Sequence, residues 1–311
     1  MTLYRKALPQ LGDDIFLTDG GMETVMVFHE GIDLPHFAAV DLLRTTKGRE
    51  TALAYYRRYA DIAIRHDRGF IMESVTWRAS PDWAEPLGLT TKELERLNRD
   101  AIALLAKLRH EIATPKPIVI SGCIGPRGDG YNPGALMSVE EAYDYHSFQA
   151  DIFTETQADL ITGMTITNTP EAIGISRAAS SAGMPCVISF TVETDGRLPS
   201  GQALGEAIME TDFECSVAPA YYMINCAHPT HFSTVVEKGG AWLPRVKGLR
   251  ANASKCSHAE LDEAEELDDG NPQELGQENA ALRRVMPALR VFGGCCGTDH
   301  RHIEEIAKAA A

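Results

Sequence analysis

The sequence predicts a single (β/α)8 barrel, the TIM-barrel form of the α/β class, over residues 1–311. Short β-branched runs alternate with longer helical stretches eight times in 311 residues, which is the repeat number and length of such a barrel. The runs show little polar alternation until their ends, as expected of strands that are covered on both faces. No G-x-G-x-x-G follows the first run, which argues against an open dinucleotide-binding sheet.

The strand and helix predictions follow from this alternation. Strands are predicted at 14–20, 69–76, 117–125, 159–167, 185–192, 220–226, 245–252 and 290–296. Helices are predicted at 49–66, 92–113, 138–157, 170–182, 203–213, 230–239, 278–289 and 299–310. Ser138 and Glu141 have capping-box spacing at the start of the third helix. The acidic segment 257–277 is predicted to be a solvated loop, with a lid or a partner-binding segment as the alternative.

Composition excludes several classes of partner. The formal net charge of −15 argues against a nucleic-acid or anionic-membrane partner, because either would favour a basic surface. The sequence has neither an apolar N-terminal signal segment nor a run of about 18 apolar residues, so no membrane span is predicted. Seven cysteines, an odd number, indicate a reducing compartment and hence a cytoplasmic protein. The sequence is compatible with a monomer or a homo-oligomer.

Three of the seven cysteines stand where barrel strands end. Cys226 ends the sixth predicted strand, and the adjacent Cys295 and Cys296 end the eighth. Chemistry in such barrels occurs at this face, and adjacent cysteines do not readily form a disulfide with each other. The surrounding Gly293, Gly294 and Gly297 would let the backbone turn both sulfurs inward. Three thiolates with one open position are typical of a catalytic zinc site.

Other roles for these cysteines remain open at this point. A redox pair or a covalent nucleophile among the three is one alternative, and His228 as a fourth metal ligand is another. The remaining cysteines are predicted to have no role in a metal site. Cys123, Cys186 and Cys215 are predicted to be small core residues, and Cys256 a loop residue.

Four motifs together resemble one known family. They are LTDGGMET at 17–24, SGCIGP at 121–126, INCAHP at 224–229 and GGCCGT at 293–298. In this order they resemble the homocysteine S-methyltransferase family, which includes betaine–homocysteine and S-methylmethionine-dependent methyltransferases, and the resemblance spans nearly the whole chain. It implies zinc held by Cys226, Cys295 and Cys296, with homocysteine bound to zinc through its sulfur. It also implies direct methyl transfer to that sulfur, giving methionine, with no catalytic residue beyond the metal site.

The resemblance also implies a set of substrate-binding residues. Asp19, Gly20 and Gly21 match the first loop of the family, where backbone approaches the substrate closely. Asn225 precedes the first zinc cysteine and is expected to orient a ligand or the substrate. Ser74, at the end of the second strand, is the fifth of these residues.

Two substrate positions depart from the family pattern. Met164 stands where relatives carry a glutamate that pairs with the homocysteine ammonium, and Glu73 stands where they carry a neutral residue. Three explanations are open. Glu73 supplies the carboxylate that pairs with the homocysteine ammonium in place of the residue at 164; or the acceptor is a thiol without an α-amino group; or Glu73 recognises the cationic donor. A fourth reading makes Glu73 an ordinary strand-end residue paired with an arginine, such as Arg78 or Arg127.

The methyl donor is predicted only as a class. Aromatic faces usually hold methylated onium groups, and Phe28, Trp77, Trp83 and Tyr131 are on loops at the appropriate end of the barrel. The chain length leaves no room for folate, cobalamin or activation modules, which favours S-methylmethionine, S-adenosylmethionine or a betaine. The alternatives are the same chemistry on a different thiol or donor, and a non-catalytic zinc- or thiol-binding barrel.

Overall fold

Eight parallel strands close into a barrel in the computed structural model, which describes residues 2–264 and 266–310. Each strand pairs with the next, and β1 pairs with β8 to complete the ring. The predicted (β/α)8 barrel is therefore confirmed, while residues 1, 265 and 311 of the predicted domain lie outside the described residues. The strands are β1 Phe16–Leu17, β2 Gly69–Glu73, β3 Ile118–Ile124, β4 Leu160–Ile166, β5 Cys186–Phe190, β6 Tyr221–Asn225, β7 Val246–Ala251 and β8 Val291–Gly294.

A helix follows every strand and packs on the outside of the barrel. These helices are α1 Thr46–Arg65, α2 Thr91–Glu111, α3 Val139–Thr154, α4 Thr169–Ser181, α5 Leu204–Glu214, α6 Pro229–Glu237, α7 Pro272–Val285 and α8 His300–Ala309. Shorter helical segments occupy Pro9–Leu11, Met22–Thr24, Val25–His29, Pro35–Phe37, Ala39–Arg44, Pro81–Trp83, Leu243–Arg245 and His258–Asp262. Among the described residues, no helix is both long and apolar enough to cross a bilayer.

Capping explains where the helices begin. The predicted capping box at Ser138 and Glu141 is present at the start of α3. The predicted start of α7 at residue 278 is wrong, because Asn271 caps the backbone amides of Gln273 and Glu274 and Pro272 fits the first turn. The loop prediction for 257–277 is wrong in part, since the segment holds the helix His258–Asp262 and the start of α7. Residue 265 of that segment lies outside the described residues.

The apolar core has two layers. One fills the interior of the barrel with inward side chains such as Phe16, Ile71, Val187 and Val291, and Leu8 packs against them from the N-terminal segment. The other lies between the strands and the surrounding helices. Fully buried parallel strands need apolar residues on both faces, which accounts for the weak polar alternation of the sequence.

A buried carboxylate ties the N-terminal segment to the closed end of the barrel. Asp159, at 0% exposure, accepts hydrogen bonds from the backbone amides of Leu3, Tyr4 and Ile120 at 2.9–3.0 Å. Its second oxygen also lies 2.6 Å from a guanidinium nitrogen of Arg109. This cluster lies at the opposite end of the strands from Cys226, so it contributes to stability rather than to the open face.

Candidate active site

Three cysteine sulfurs meet at the C-terminal ends of the strands. Cys226 follows β6, and Cys295 and Cys296 follow β8. Their Sγ atoms all lie within 4.8 Å of one another, and those of Cys226 and Cys296 are 3.6 Å apart. The predicted convergence of these thiols is therefore confirmed. Three sulfurs so close together are a ready-made ligand set for a soft divalent ion such as Zn²⁺.

Local backbone conformation aims the sulfurs at a common point. Cys226 adopts a left-handed conformation, with φ of 51°, which is uncommon for a residue with a side chain. Its amide donates to the Arg250 carbonyl at 3.1 Å, and the Cys295 amide donates to the Ala251 carbonyl at 2.8 Å. Both cysteine segments are thus anchored to β7, the strand between them.

The glycines around the cysteine pair have two different roles. Gly297 has a φ of 77° and provides the turn that was predicted. Gly293 and Gly294 instead allow close packing, because an added Cβ would lie 1.9 Å from Thr18 Oγ1 and 2.0 Å from Thr298 Oγ1 respectively. Only the absence of side chains there lets β8 pack against the first strand and the turn beyond.

Asn225 links the cysteine site to two neighbouring strands. Its Oδ1 accepts from the Thr165 amide at 3.1 Å and from Ser189 Oγ at 2.6 Å. Its Nδ2 donates to Thr165 Oγ1 at 2.8 Å and lies 3.8 Å from the Cys295 sulfur. Thr165 also has a left-handed backbone, with φ of 63°. Asn225 therefore fixes a strained strand end and orients one sulfur.

Two rings cover the sulfur cluster from the side. The Tyr131 hydroxyl lies 3.2 Å from Cys296 Sγ and 3.7 Å from Cys226 Sγ. Its ring stacks on His258, with centroids 4.0 Å apart. His258 Nε2 donates to the Cys226 carbonyl at 2.6 Å, and Nδ1 lies 3.1 Å from a carboxylate oxygen of Glu193. The segment that holds His258 thus supports both the Tyr131 ring and the backbone of a cysteine.

A buried charged cluster forms the floor of the site. Arg250, on β7, places Nη2 at 2.8 Å from Asp19 Oδ1 and donates to the Gly20 carbonyl at 3.3 Å. Glu73, at the end of β2, accepts from Thr162 Oγ1 at 3.2 Å through one oxygen. The other Glu73 oxygen, together with Nε and Nη1 of Arg250, is buried without a hydrogen-bond partner among the described residues. The floor therefore has unused donors and an unused acceptor.

The pKa values of these groups are shifted by burial. Burial raises the pKa of Glu73 to about 7, although the Arg250 charge acts in the opposite direction. Burial also raises the pKa of Asp19, again opposed by Arg250. Burial likewise raises the pKa of Glu23, which follows the first loop, to about 7. Among the three cysteines, mutual hydrogen bonds lower the pKa of Cys295 and raise that of Cys226, so the group shares its protons unequally.

The cysteines and the charged floor line one cavity of about 430 Å³. Phe28, Trp77 and Tyr131 are among the residues at its wall, as predicted for a site that binds an onium group. Trp83, the fourth aromatic residue predicted there, packs instead against the core and the guanidinium of Arg78, whose carbon lies 4.5 Å from the ring centroid. A cavity of this volume is within the usual range of small-molecule binding sites.

Comparison with known proteins identifies the family. A family model described as homocysteine S-methyltransferase matches residues 16–310. The chain belongs to this family. Homocysteine S-methyltransferases are thiol methyltransferases, and the chain is an enzyme of that class.

Individual relatives agree with the family assignment. The chain is 26% identical to homocysteine S-methyltransferase YbgG of Bacillus subtilis, over 71% of this chain and 72% of that protein. It is 25% identical to selenocysteine Se-methyltransferase of Brassica oleracea var. italica, over 94% of this chain and 88% of that protein. Its fold matches the oxidized form of the homocysteine methyltransferase MmuM from Escherichia coli with a TM-score of 0.76, at 18% identity over 96% and 97% of the two chains.

The end of β4 presents an apolar side chain to the cavity. Met164 is buried in the interior of the barrel and lines the cavity with an apolar side chain. Its carbonyl accepts from Trp77 Nε1 at 3.0 Å. The end of β4 therefore offers the cavity no carboxylate from this position, in contrast to what the family resemblance implied for relatives.

The ion pairs predicted for Glu73 are not formed as expected. Arg127 pairs with Asp82 at 2.8 Å, and Arg78 lies 3.8 Å from Asp129. The guanidinium that acts on Glu73 is that of Arg250, which was not among the residues predicted from the sequence. The sequence could have indicated Arg250 as a site residue by its position at the end of the seventh strand. A charged side chain there must face the open end of the barrel or be paired.

The other predicted residues have mainly structural contacts. The Gly20 carbonyl accepts from Tyr55 Oη at 3.0 Å, and a Cβ on Gly21 would lie 2.6 Å from the Cys295 carbonyl oxygen. Ser74 Oγ accepts from the Cys123 amide at 2.9 Å and lies 2.6 Å from Thr76 Oγ1. His228, considered as a fourth ligand, caps α6 and faces Glu278 at 3.2 Å, so it is not part of the sulfur cluster.

Proposed function

We propose that this chain transfers a methyl group from a small onium donor to the sulfur of homocysteine, giving methionine, with zinc held by Cys226, Cys295 and Cys296. The observation that carries the proposal is the meeting of three Sγ atoms within 4.8 Å at the open end of the barrel. Membership of the homocysteine S-methyltransferase family supports the same class of reaction.

The three cysteines fit a zinc ion by their chemistry. Thiolates are preferred zinc ligands, and three protein ligands with one remaining position are typical of catalytic sites. Coordination to zinc would itself remove the protons of the three thiols. When bound, zinc would supply a Lewis acid that lowers the pKa of an acceptor thiol, which is otherwise only a few per cent ionised at neutral pH.

The residues of the chain would bind and orient the two substrates. Asn225 orients Cys295, and the charged floor would receive the polar end of the acceptor. In this proposal Glu73 takes the role of the missing glutamate and faces the ammonium of homocysteine, because it has a buried oxygen without a partner among the described residues. Phe28 and Trp77 would hold the cationic donor against their faces.

The methyl transfer is a single displacement. The acceptor thiol releases its proton to solvent, and its sulfur forms a bond to the methyl carbon from the side opposite the leaving group. The bond between that carbon and the donor's sulfonium sulfur or ammonium nitrogen breaks, and its electron pair stays on the donor atom. The donor leaves neutral at that atom, so no oxidant, reductant or further reactant is needed. Holding both reactants in line within one cavity supplies the main rate advantage.

Met164 favours a second candidate acceptor. An apolar side chain in place of a carboxylate suits a thiol that lacks an α-amino group. Loss of a buried charge partner would otherwise cost a charged substrate about 2–5 kcal/mol. In this candidate reaction the metal site and the displacement are unchanged, and Glu73 recognises the cationic donor instead.

One experiment separates these proposals. The zinc-loaded protein is incubated with homocysteine, cysteine and 4-sulfanylbutanoate, each paired with S-methylmethionine, S-adenosylmethionine and glycine betaine, and thioether formation is measured. We expect homocysteine to be the best acceptor. A preference for 4-sulfanylbutanoate would favour the second candidate, whereas no transfer to any thiol would contradict both.

Cysteine variants test the metal site itself. Cys226→Ala, Cys295→Ala and Cys296→Ala should each lose zinc and methyl transfer while circular dichroism still reports a folded barrel. Cys256→Ser is the matched control, because Cys256 is a free cysteine outside the sulfur cluster; it should keep both zinc and activity. A Cys295→Ala protein with full zinc content and activity would exclude Cys295 from the site.

A further inference from the structure

The side chain of Arg250 has more hydrogen-bonding capacity than the protein uses. It is 8% exposed, and its Nη2 contacts Asp19 and the Gly20 carbonyl. Nε and Nη1 are buried without a hydrogen-bond partner among the described residues. Buried donors are nearly always paired in native proteins, and an unpaired one is costly. Arg250 also lines the cavity that holds the cysteines. A guanidinium at a cavity wall with unpaired N–H groups is a site for an acceptor group, and a carboxylate fits its planar geometry best.

The position of Arg250 relates it directly to the cysteines. In the barrel it is in register with Asn225 on β6 and with Gly293 on β8. It thus lies between the two strands that carry the sulfurs, and its charge acts on Cys295. Arg250 and the three cysteines line the same cavity, so a small molecule held there by its sulfur would share that cavity with the guanidinium.

The surrounding charges favour a zwitterion over a simple anion. Asp19 and Glu73 both lie close enough for their charges to act on Arg250. When these carboxyl groups are ionised, they would repel a ligand that carries only a negative charge. A ligand with adjacent carboxylate and ammonium groups adds no net charge, and each of its poles meets an unused group of opposite character: the free donors of Arg250 and the free oxygen of Glu73.

We infer that Arg250 binds the carboxylate of the acceptor, and that Arg250 and Glu73 together select a thiol with an α-amino acid head group. This inference rests on the proposed methyl transfer to a thiol and specifies its substrate class. It also assigns a separate role to each side chain: Arg250 discriminates against acceptors without a carboxylate, and Glu73 against acceptors without an amine.

Truncated acceptors test the two roles separately. Homocysteine is compared with 3-aminopropane-1-thiol, which lacks the carboxylate, and with 4-sulfanylbutanoate, which lacks the amine. In wild type we expect kcat/KM for homocysteine to exceed that of each analogue by about 30-fold or more. In Arg250→Gln the advantage over 3-aminopropane-1-thiol should fall by a similar factor, whereas in Glu73→Gln the advantage over 4-sulfanylbutanoate should fall. Arg250→Lys should retain part of the carboxylate preference.

Controls keep the result interpretable. Arg245→Gln removes another partly buried arginine, paired with Asp212 at 2.6 Å just before β7 and outside the cavity; it should leave all acceptor ratios unchanged. Zinc content and circular dichroism check that Arg250→Gln is folded and loaded. Equal losses for all three thiols in Arg250→Gln would overturn the inference, since Arg250 would then only support the fold, with water serving its free N–H groups.

Calorimetric titration separates this inference from the proposed function. Homocysteine should bind the zinc-loaded wild type at least about 30-fold more tightly than it binds Arg250→Gln, a difference that requires no methyl transfer. If wild type transfers no methyl group to any thiol, the proposed function fails, yet this affinity ratio still tests Arg250. Equal affinities for wild type and Arg250→Gln would overturn the carboxylate role whatever the activity.

Discussion

Individual side chains at the open end of this barrel are held in unusual states. Glu73 is a buried carboxyl with one oxygen unpaired among the described residues, and burial raises its pKa to about 7. Cys226 and Thr165 are non-glycine residues with left-handed backbones, at φ of 51° and 63°. Such states persist only where surrounding contacts enforce them, and they concentrate at functional sites. The neighbouring Asn225, through its bonds to Thr165 and Ser189, is the contact that enforces one of them.

The raised pKa of Glu73 predicts a dependence of stability on pH. Between its ordinary value of 4.5 and about 7 the folded protein keeps a proton that the unfolded chain has lost. Stability from this group is thus complete below pH 4.5 and is lost as pH rises through 7. Glu73→Gln has no carboxyl group at this position and does not undergo this loss. The free energy of unfolding of Glu73→Gln, relative to that of wild type, should therefore increase by roughly 2–3 kcal/mol between pH 5 and pH 8. Urea unfolding at both pH values measures it.

Other titratable and charged groups near Glu73 are present in both wild type and Glu73→Gln. Their contributions to the pH dependence of stability largely cancel when the two proteins are compared. They include Arg250, Asp19 and Glu23, whose own pKa is also raised to about 7 by burial. A Glu73→Gln advantage that is the same at pH 5 and pH 8 would show that Glu73 is already ionised across this range in the folded protein. Homocysteine turnover by Glu73→Gln at wild-type efficiency would separately remove its proposed role at the ammonium.

Removing the amide of Asn225 should loosen the strand ends. Asn225→Ala leaves the Thr165 amide and the Ser189 hydroxyl buried without their acceptor, at about 1–3 kcal/mol for each. We expect a lower free energy of unfolding and weaker zinc binding, measured by urea titration and by competition with a chelator. Ser189→Ala is a milder control, because it removes one donor and leaves the bond between Thr165 and Asn225. A stable Asn225→Ala protein with unchanged zinc affinity would contradict this role.

At the scale of elements, the segment after β7 reaches back over the site. His258, at the start of the helix His258–Asp262, stacks on Tyr131 from the segment after β3 and donates to the Cys226 carbonyl after β6. One side chain thus joins three barrel loops around the sulfur cluster. Leu261 and Leu267 of the same segment line the cavity wall, so this acidic stretch helps to enclose the site.

Substituting His258 separates its two contacts. His258→Phe keeps a ring over Tyr131 but loses the hydrogen bond to the Cys226 carbonyl. Groups that orient metal ligands typically contribute 10- to 100-fold in affinity, so zinc affinity should fall by about 10-fold in His258→Phe and further in His258→Ala. Chelator competition measures both. Equal zinc affinity in all three proteins would show that the cysteines hold their geometry without His258.

Much of this architecture could be predicted from the sequence, and the reasons differ by element. The barrel was predictable because the sequence contains eight short apolar runs. Parallel strands that are buried on both faces are apolar along most of their length, which distinguishes them from half-exposed strands. The start of α7 was misplaced because the cap formed by Asn271 and Pro272 lies inside an acidic stretch that reads as a loop. The cysteine site was found because strand ends converge. Sequence spacing did not predict which side chains surround the sulfurs. The positions of Arg250, Tyr131 and His258 at the site depend on contacts between segments that are far apart in the sequence.

For the whole molecule, the buried Asp159 cluster and the cysteine site are at opposite ends of the strands. The Asp159 cluster secures the N-terminal segment at the closed end, and the sulfurs lie at the open end. Asp159→Ala breaks a buried ion pair and leaves three amides without their acceptor, which should lower the free energy of unfolding by about 3–5 kcal/mol. Denaturant unfolding measures this loss. Zinc affinity of the folded fraction should be unchanged, and a parallel loss of zinc would contradict the separation.

The register of β7 has a consequence for which thiols the enzyme can use. Arg250 is level with Asn225 and Gly293 on the strands that carry the sulfurs, so under the inferred carboxylate role strand pairing would set the position of Arg250 relative to the sulfurs. The paired strands would then fix the length of acceptor that fits the site. If Arg250 binds the carboxylate as inferred, we expect cysteine, which is one methylene shorter, to be a poorer acceptor than homocysteine in the comparison of thiols described above.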